Sequence, residues 1–454
     1  MPLRSYGRSL KTIQGQLKKM PDKADNINSL KEKGWLKLDN AAKLFPAIIS
    51  KDLTSVFRIT ASLKEPVKYT AIRDAVQITS RRFPYFNVSL GSGFFWHFLE
   101  FTDQQPRIQS DEKIPCSVFE VKRKNEPLYR VIVKGKRISA EFIHILTDGG
   151  GALEYLKSLL YTYLTLTGRN ISSPGEIILP GTPISNEEFE DGYLKHFRKL
   201  PPPSKLVKAW HLPFKLNQRP RLKVLRAEVK THEIIELTRK LKVSVTEYFV
   251  AVYHFALQKI FISSSSKKRK KINRVLRIEV PVNMRKKFPS RTMRNFSLFV
   301  LPEIDLRLGT YTFEEILHSV HHQLQISSDI KQISRFMSSN VSYEKLVFIR
   351  ILPLFIKKIA MAAVYRGLAS KRFSGLVTNL GMVTLPDQMN EMIDSFEIIP
   401  PPQNSKVKVG SGLISFKDKL RICFSNITQS NELERHILKH LSDSGIHVKI
   451  LKND

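Results

Sequence analysis

His144-Ile145-Leu146-Thr147-Asp148-Gly149-Gly150-Gly151 is the stretch on which the reading of this chain turns. An apolar segment, Arg137–Leu146, leads into it and has the character of a strand. After it Leu153, Leu156, Leu160 and Tyr163 share one face at helical spacing, which predicts a helix over Gly149–Leu166. A histidine at a strand end can project into a cleft. Its neutral imidazole, with an ordinary pKa near ~6.5, takes a proton from a hydroxyl at neutral pH. The same proton can then pass to a departing thiolate, so one histidine serves both halves of an acyl transfer. Asp148, in a tight turn four residues on, is suited to holding that turn. The glycines permit backbone angles barred to other residues and let a ligand come close. The chain has 12 histidines, and a chance His-x-x-x-Asp-Gly is expected on the order of 0.02 times. The competing reading of His144 is a histidine satisfied in the core.

Upstream, Ser55–Leu63 reads as a strand and Val67–Arg82 as a helix ended by Phe83-Pro84. Phe86–Leu90 and Phe94–Phe101 suggest a hairpin around Gly91-Ser92-Gly93; Tyr129–Val133 and Arg137–Leu146 suggest a second around Lys134-Gly135-Lys136. From about Gly168 to Lys223 the pattern dissolves among prolines. Beyond it come a strand over Leu222–Lys230 and a helix over Thr231–Leu241. Ser244 and Glu247 are spaced as a capping box for an apolar helix reaching Phe261. Arg274–Arg285 reads as a strand, Thr312–Ser327 and Ser342–Gly367 as helices. Strands near Phe373–Asn379, Met392–Ile399, Lys406–Phe416 and Lys419–Asn426 precede a terminal helix over Asn431–Leu441. A length of 454 residues favours two domains. The expected division is a basic segment over 1–35, an N-terminal domain over 36–200, a connector over 201–221 and a C-terminal domain over 222–454.

With 42% hydrophobic and 25% charged residues the chain is of globular type. Cys116 and Cys423, its two cysteines, build no disulfide framework and have no metal-binding spacing, so no metal is expected. The adjacent His321-His322 pair lacks a third ligand nearby. The basic N-terminus lacks the apolar centre of a signal peptide, and no apolar run is long enough to span a bilayer. A cytoplasmic protein is expected, with peripheral association at the inner membrane surface left open. The net charge of +33 sets up a field attractive to nucleic acid, anionic lipid or polyanionic cofactors, or is a solubility trait.

His144-x-x-x-Asp148-Gly149 resembles the active-site signature of the CoA-dependent acyltransferase superfamily. That group includes chloramphenicol acetyltransferase, condensation domains of peptide synthetases, wax ester synthases and alcohol acetyltransferases. Further segments look most like the alcohol acetyltransferase branch and its bacterial relatives. They are Leu38-Asp39-Asn40-Ala41-Ala42 before Phe45-Pro46, Arg82-Phe83-Pro84-Tyr85-Phe86, Gly93-Phe94-Phe95-Trp96, Pro281-Val282-Asn283-Met284-Arg285, Asn295-Phe296 and Thr378-Asn379-Leu380-Gly381. They run in order through nearly the whole chain. The resemblance implies an α/β fold of two chloramphenicol acetyltransferase-like domains, each a mixed sheet with helices, and an active-site tunnel between them. It implies His144 as general base and a pairing of Asp148 with an arginine best matched by Arg285. It implies Thr378 and Asn379 in the tunnel wall as candidates to bind the oxyanion, the alternative being a strand-end turn closed by Gly381. The implied donor substrate is acyl-CoA, first of all acetyl-CoA, and the implied acceptor a small alcohol or amine. Ile143 stands where condensation domains often carry a second histidine, and no Asp-Phe-Gly-Trp-Gly segment of the plant branch is present.

No Gly-x-Ser-x-Gly elbow supports a serine hydrolase, and no Gly-x-x-x-x-Gly-Lys-Ser/Thr loop supports a nucleotide hydrolase. The Lys267–Lys271 run fits a solvated loop or a phosphate contact. The helix with Arg350, Lys357, Lys358 and Arg366 is expected to turn its apolar side, Ile349, Leu352, Phe355 and Ile359, into the core, a membrane surface being the alternative. Three functions therefore stand: an O-acyltransferase; a condensation-type or carrier-protein-dependent N/O-acyltransferase whose acidic acyl carrier protein the positive charge would suit; and a non-catalytic basic protein binding membrane or nucleic acid. No RNA-binding motif accompanies the charge, so specific nucleic-acid binding is not expected.

Overall fold

In the strand Arg137–Ile143 alternate residues Ile138, Ala140 and Phe142 enter an apolar core, while Ser139 and Glu141 face the other way and are buried too. Such a strand must lie in a sheet covered on both faces. The computed structural model describes residues 34–452 apart from 112–113, 122, 173, 264–272 and 368, and without the side chain of Ala369. Most of the expected basic segment and the Lys267–Lys271 run fall outside the described residues.

The first sheet has five strands in the order Ile393–Ile399, Val56–Leu63, Arg137–Ile143, Tyr129–Lys134 and Ile108–Ser110. The hairpin around Lys134-Gly135-Lys136 is there as expected, with Lys134 opposite Arg137. The helices Tyr69–Arg82 and Gly149–Leu166 pack together over the apolar face. The opposite face is polar. Arg58 and Arg130 converge on Glu141, with Arg58 Nε 2.8 Å and Arg130 Nε 2.7 Å from its two oxygens, and Cys116 donates its backbone N–H to the same carboxylate at 2.6 Å. A small second sheet joins Trp35–Lys37, His97–Phe101 and Val88–Ser92. Its hairpin turns over Gly93–Trp96, beyond the expected Gly91-Ser92-Gly93. Gly91 remains in the strand, where a Cβ would lie 2.4 Å from the cross-strand Phe98 ring.

The third sheet, of eight strands, runs Ser297–Val300, Val275–Asn283, Gly375–Met382, Val409–Phe416, Lys419–Asn426, Lys223–Lys230 and Lys449–Leu451, with Glu303–Asp305 also on Val275–Asn283. It packs against the apolar helix Val245–Ser263 in a separate core. The expected capping box opens that helix: Glu247 N–H donates to Ser244 Oγ at 3.2 Å and Ser244 N–H to Glu247 Oε2 at 2.6 Å. Ile393–Ile399 comes from the later part of the chain yet pairs with Val56–Leu63 in the first sheet. Its Glu397 takes ion pairs from Arg137 of the first sheet and, at 3.2 Å, from Arg226 of the third.

The expected helix over Ser342–Gly367 is three helices: Ile330–Lys345, Val347–Ile351 and Leu354–Gly367. Pro353 has no N–H to donate and forces Leu352 into extended backbone at ψ 136°, which breaks the run. The apolar side of Leu354–Gly367 is not in the core as expected. Phe355, Ile359 and Val364 are exposed, and the buried side chain of that helix is Lys357.

Glu141→Ala should leave Arg130 buried without a carboxylate and Arg58 with Asp111 alone, and cost about 3–5 kcal/mol. A urea unfolding midpoint unchanged from wild type would show that this polar layer is not closed by Glu141.

Candidate active site

Strand pairing places His144. Val56 pairs with Ile143, the last residue of its strand, and His144 extends the ladder by one bond, donating its N–H to Ser55 O at 2.9 Å. Leu146 N–H then turns back to Ile143 O at 2.9 Å, so the chain leaves the sheet directly after the imidazole. The ring stacks on Phe45 at 5.4 Å between centroids and tilts against Phe57 at 4.5 Å. The side chain keeps part of its surface open. Desolvation by these rings pulls its pKa down to about 4, against the opposing pull of the Asp148 charge and of contacts with Thr147 and Asn295. The imidazole is therefore neutral throughout the physiological range.

Asp148 caps the Gly149–Leu166 helix, its Oδ1 accepting from Gly150 N at 3.1 Å and Gly151 N at 3.2 Å. Its Oδ2 looks across to the other lobe and accepts from Arg285 Nη1 at 3.0 Å and Phe296 N at 2.8 Å. The expected pairing with Arg285 is present. Burial alone would raise this carboxyl; the charge and hydrogen bond of Arg285 and the backbone N–H groups hold it below the usual range. Because the folded pKa is depressed, the stability Asp148 provides is full above the ordinary carboxylate range and is lost as pH falls through the folded value. Arg285 is itself fixed, donating Nε to Thr292 O at 2.6 Å, Nη1 also to Asn283 Oδ1 at 3.3 Å, and Nη2 to Arg294 O.

The strip Thr292–Phe296 seals this loop. Thr147 Oγ1 donates to Met293 O, and Asn295 Nδ2 donates to His144 O at 2.9 Å and Asp39 Oδ2 at 3.2 Å. Asp39 is fully buried; desolvation raises its pKa to about 6, with Arg294 pulling the other way. Behind the strip, Met293 N–H donates to Glu188 O at 2.7 Å, and the Glu188 carboxylate is held by Arg82 at 2.8 Å and Tyr85 Oη at 2.7 Å.

The three glycines of the motif are helical and none has a positive φ, so the expected freedom of backbone angle is not their reason. Their reason is room. A Cβ on Gly149 would lie 2.8 Å from Leu380, on Gly150 3.2 Å from Arg285 Nη1, and on Gly151 2.2 Å from Met293 O. The contact of Leu380 with Gly149 also brings the end of the Thr378–Gly381 segment to the motif. There Gly381, at φ +80°, donates its N–H to Asn379 Oδ1 at 2.8 Å, and Asn379 Nδ2 donates to Thr246 Oγ1 at 3.0 Å. Gly381 does not close a strand-end turn: it lies within the strand Gly375–Met382, where the register shifts between Asn379 and Met382, and its N–H holds the Asn379 amide beside Thr378. Sequence reading missed Phe45 and Phe57 as the walls of the imidazole and Asn295 as its backbone tether. Phe45-Pro46 and Asn295-Phe296 lay in resembling segments but carried no local signal of contact with His144.

No family model and no curated protein matches the sequence. Solved structures do. A condensation domain of the calcium-dependent antibiotic synthetase, in complex with a substrate analogue, aligns with TM-score 0.58 at 10% identity over 92% of this chain and 99% of that one. Polyketide synthase associated protein 5 from Mycobacterium tuberculosis gives TM-score 0.56 at 13% identity over 89% and 96%. Trichothecene 15-O-acetyltransferase from Fusarium sporotrichioides gives 0.56 at 9% over 90% and 93%. The chain has the two-lobed mixed α/β fold that condensation domains share with acetyltransferases of the chloramphenicol acetyltransferase type.

Asp148→Ala should strand Arg285 and three backbone N–H donors and cost about 3–5 kcal/mol, read from the urea midpoint; an unchanged midpoint would sink the clamp. Gly→Ala inside a helix ordinarily stabilises by about 1 kcal/mol. Gly151→Ala should do the opposite and destabilise, and by more than Gly150→Ala, in the same assay.

Proposed function

We propose that the protein is an acyltransferase that moves an acyl group from a thioester to a hydroxyl, with His144 as general base. The observation that carries this is an imidazole standing at a strand end against two aromatic rings, on a loop clamped across the two lobes by Asp148 and Arg285. Likeness in fold to a trichothecene acetyltransferase and to condensation domains supports the reaction class.

In this reading His144 takes the acceptor proton while the hydroxyl oxygen bonds to the thioester carbonyl carbon. The tetrahedral intermediate collapses with cleavage of the C–S bond, and the imidazolium returns its proton to the leaving thiolate. An imidazolium of low pKa is a ready acid for that second step, since a thiol ordinarily titrates near ~8.5. Holding both substrates in a tunnel between the lobes would make the encounter an oriented one. Thr378 is the side chain we assign to the oxyanion; Asn379 and Gly381 brace the strand irregularity beside it. Acetyl-CoA is the first donor to test and a small alcohol the first acceptor, following the alcohol acetyltransferase resemblance. An acyl carrier protein is the second donor, favoured by the net charge of +33 and the condensation-domain likeness.

Purified protein incubated with acetyl-CoA or longer acyl-CoAs, and separately with an acylated carrier protein, against a panel of alcohols and amines should release thiol in an acceptor-dependent way. His144→Ala should fold normally and lose release by about 100-fold or more; a variant with wild-type turnover would rule out this mechanism. A protonated His144 cannot accept a proton, so kcat/KM should hold down to mildly acidic pH and fall only on approach to about 4. An acid limb near ~6.5 would mean that water, not Phe45 and Phe57, surrounds the free imidazole.

A further inference from the structure

The helices Val347–Ile351 and Leu354–Gly367 turn outward what helices of their composition ordinarily bury. Val347 is 72% exposed, Phe348 69%, Phe355 65% and Ile359 70%, with Leu346 and Ile351 also open. Phe94, 70% exposed, extends the face from another element, the Gly93–Trp96 hairpin tip. The two are bonded directly: Leu354 N–H donates to Phe94 O at 2.8 Å and Lys357 Nζ to Phe95 O at 3.0 Å. Lys357 would otherwise interrupt the surface. Its ammonium is instead drawn inward, 3.8 Å from the Trp96 ring centre, and bonds Arg350 O at 3.1 Å, tying the two helices across Pro353. Exposed apolar patches of this kind on a folded protein mark an interaction site.

The charge around the face selects the partner. Along Leu346–Gly367 the sequence has no Asp or Glu, while Arg350, Lys358 and Arg366 add positive charge. A second copy on this face would oppose cations with cations, because a two-fold interface sets a patch against itself. An anionic headgroup layer over an apolar interior matches both parts: cations meet phosphates while aromatic and branched side chains enter the acyl boundary.

We infer that the Leu346–Ile359 face with Phe94 docks the protein on the surface of an anionic lipid bilayer, lying on it and not spanning it. Among the described residues no helix is long and apolar enough to cross a membrane. The inference does not rest on the acyl-transfer reading, because binding is measured without turnover.

Full-length protein would be sedimented with vesicles of phosphatidylcholine alone and with about a third phosphatidylglycerol. Wild type should partition onto the anionic vesicles, and Phe348→Ser with Phe355→Ser and Ile359→Ser should weaken that partition about 10-fold or more. Circular dichroism and melting should be unchanged, since the three side chains are exposed. Salt should weaken wild-type binding in part and abolish that of the triple variant. Three results would overturn the inference: no binding to either vesicle; binding that the triple variant leaves intact, which marks attraction to the net charge alone; or a wild-type dimer in light scattering that the triple variant dissociates.

Discussion

At the motif a single buried carboxylate is shared by both lobes. Asp148 spends one oxygen on the N–H groups of the Gly149–Leu166 helix and the other on Arg285 and Phe296 of the second lobe. A buried carboxylate with fewer partners would take up a proton, and the charge that draws Arg285 would vanish. Cap, loop and lobe closure are therefore one event. Thr147 and Asn295 add bonds across the same seam, to Met293 O and His144 O, so the loop bearing the imidazole is itself the interface. The glycines follow from this. A second lobe 2.2 Å from where a Cβ would sit on Gly151 leaves no alternative residue at that position.

The same economy shapes the charge. Glu141, Asp148, Glu188 and Asp39 are buried against Arg58, Arg130, Arg285, Arg82 and Arg294. Guanidinium suits these places because its planar fork satisfies a carboxylate and a carbonyl at once, as Arg285 does with Asp148, Thr292 O and Arg294 O. Several acids in a chain poor in them are thus withdrawn into the interior. On the exterior cations outnumber acids, and the field seen by a partner is governed by where cations stand without acids, as along Leu346–Gly367.

Local pattern was legible wherever a face is covered by near neighbours. Gly149–Leu166 and Lys419–Asn426 have the bounds their periodicity predicts, and the Ser244/Glu247 box caps its helix. The Asp148–Arg285 pair followed from resemblance, since 137 residues separate the partners and neither has a local signal for the other. For the same reason nothing around Ile393–Ile399 announces that its partner is Val56–Leu63. Leu354–Gly367 failed differently. Its apolar spacing is real, but periodicity says that a face exists and not which medium covers it. The break before it was overlooked although Pro353 was in plain sight. Phe45 and Phe57 were invisible as site residues because an aromatic side chain reads as core whether or not an imidazole lies against it.

These aromatic walls set a tension that bears on mechanism. Desolvation leaves His144 a weak base, and the charge of Asp148, itself paired with Arg285, opposes that shift without cancelling it. A weak base still serves if its protonation is coupled to a charge that appears at the same moment. In the proposed reaction, as a hydroxyl attacks a thioester, negative charge gathers on the carbonyl oxygen, and an imidazolium forming beside it would be stabilised by that oxyanion. Basicity would then be supplied by the reaction itself and would be absent until an acceptor hydroxyl attacks. The wall that enforces this includes Phe45, on the short Phe45–Ile48 helix that packs against Leu354–Gly367. The helix whose outer face meets lipid in our inference thus presses with its inner side on the helix that carries one wall of the imidazole, and the surface and the site share one support.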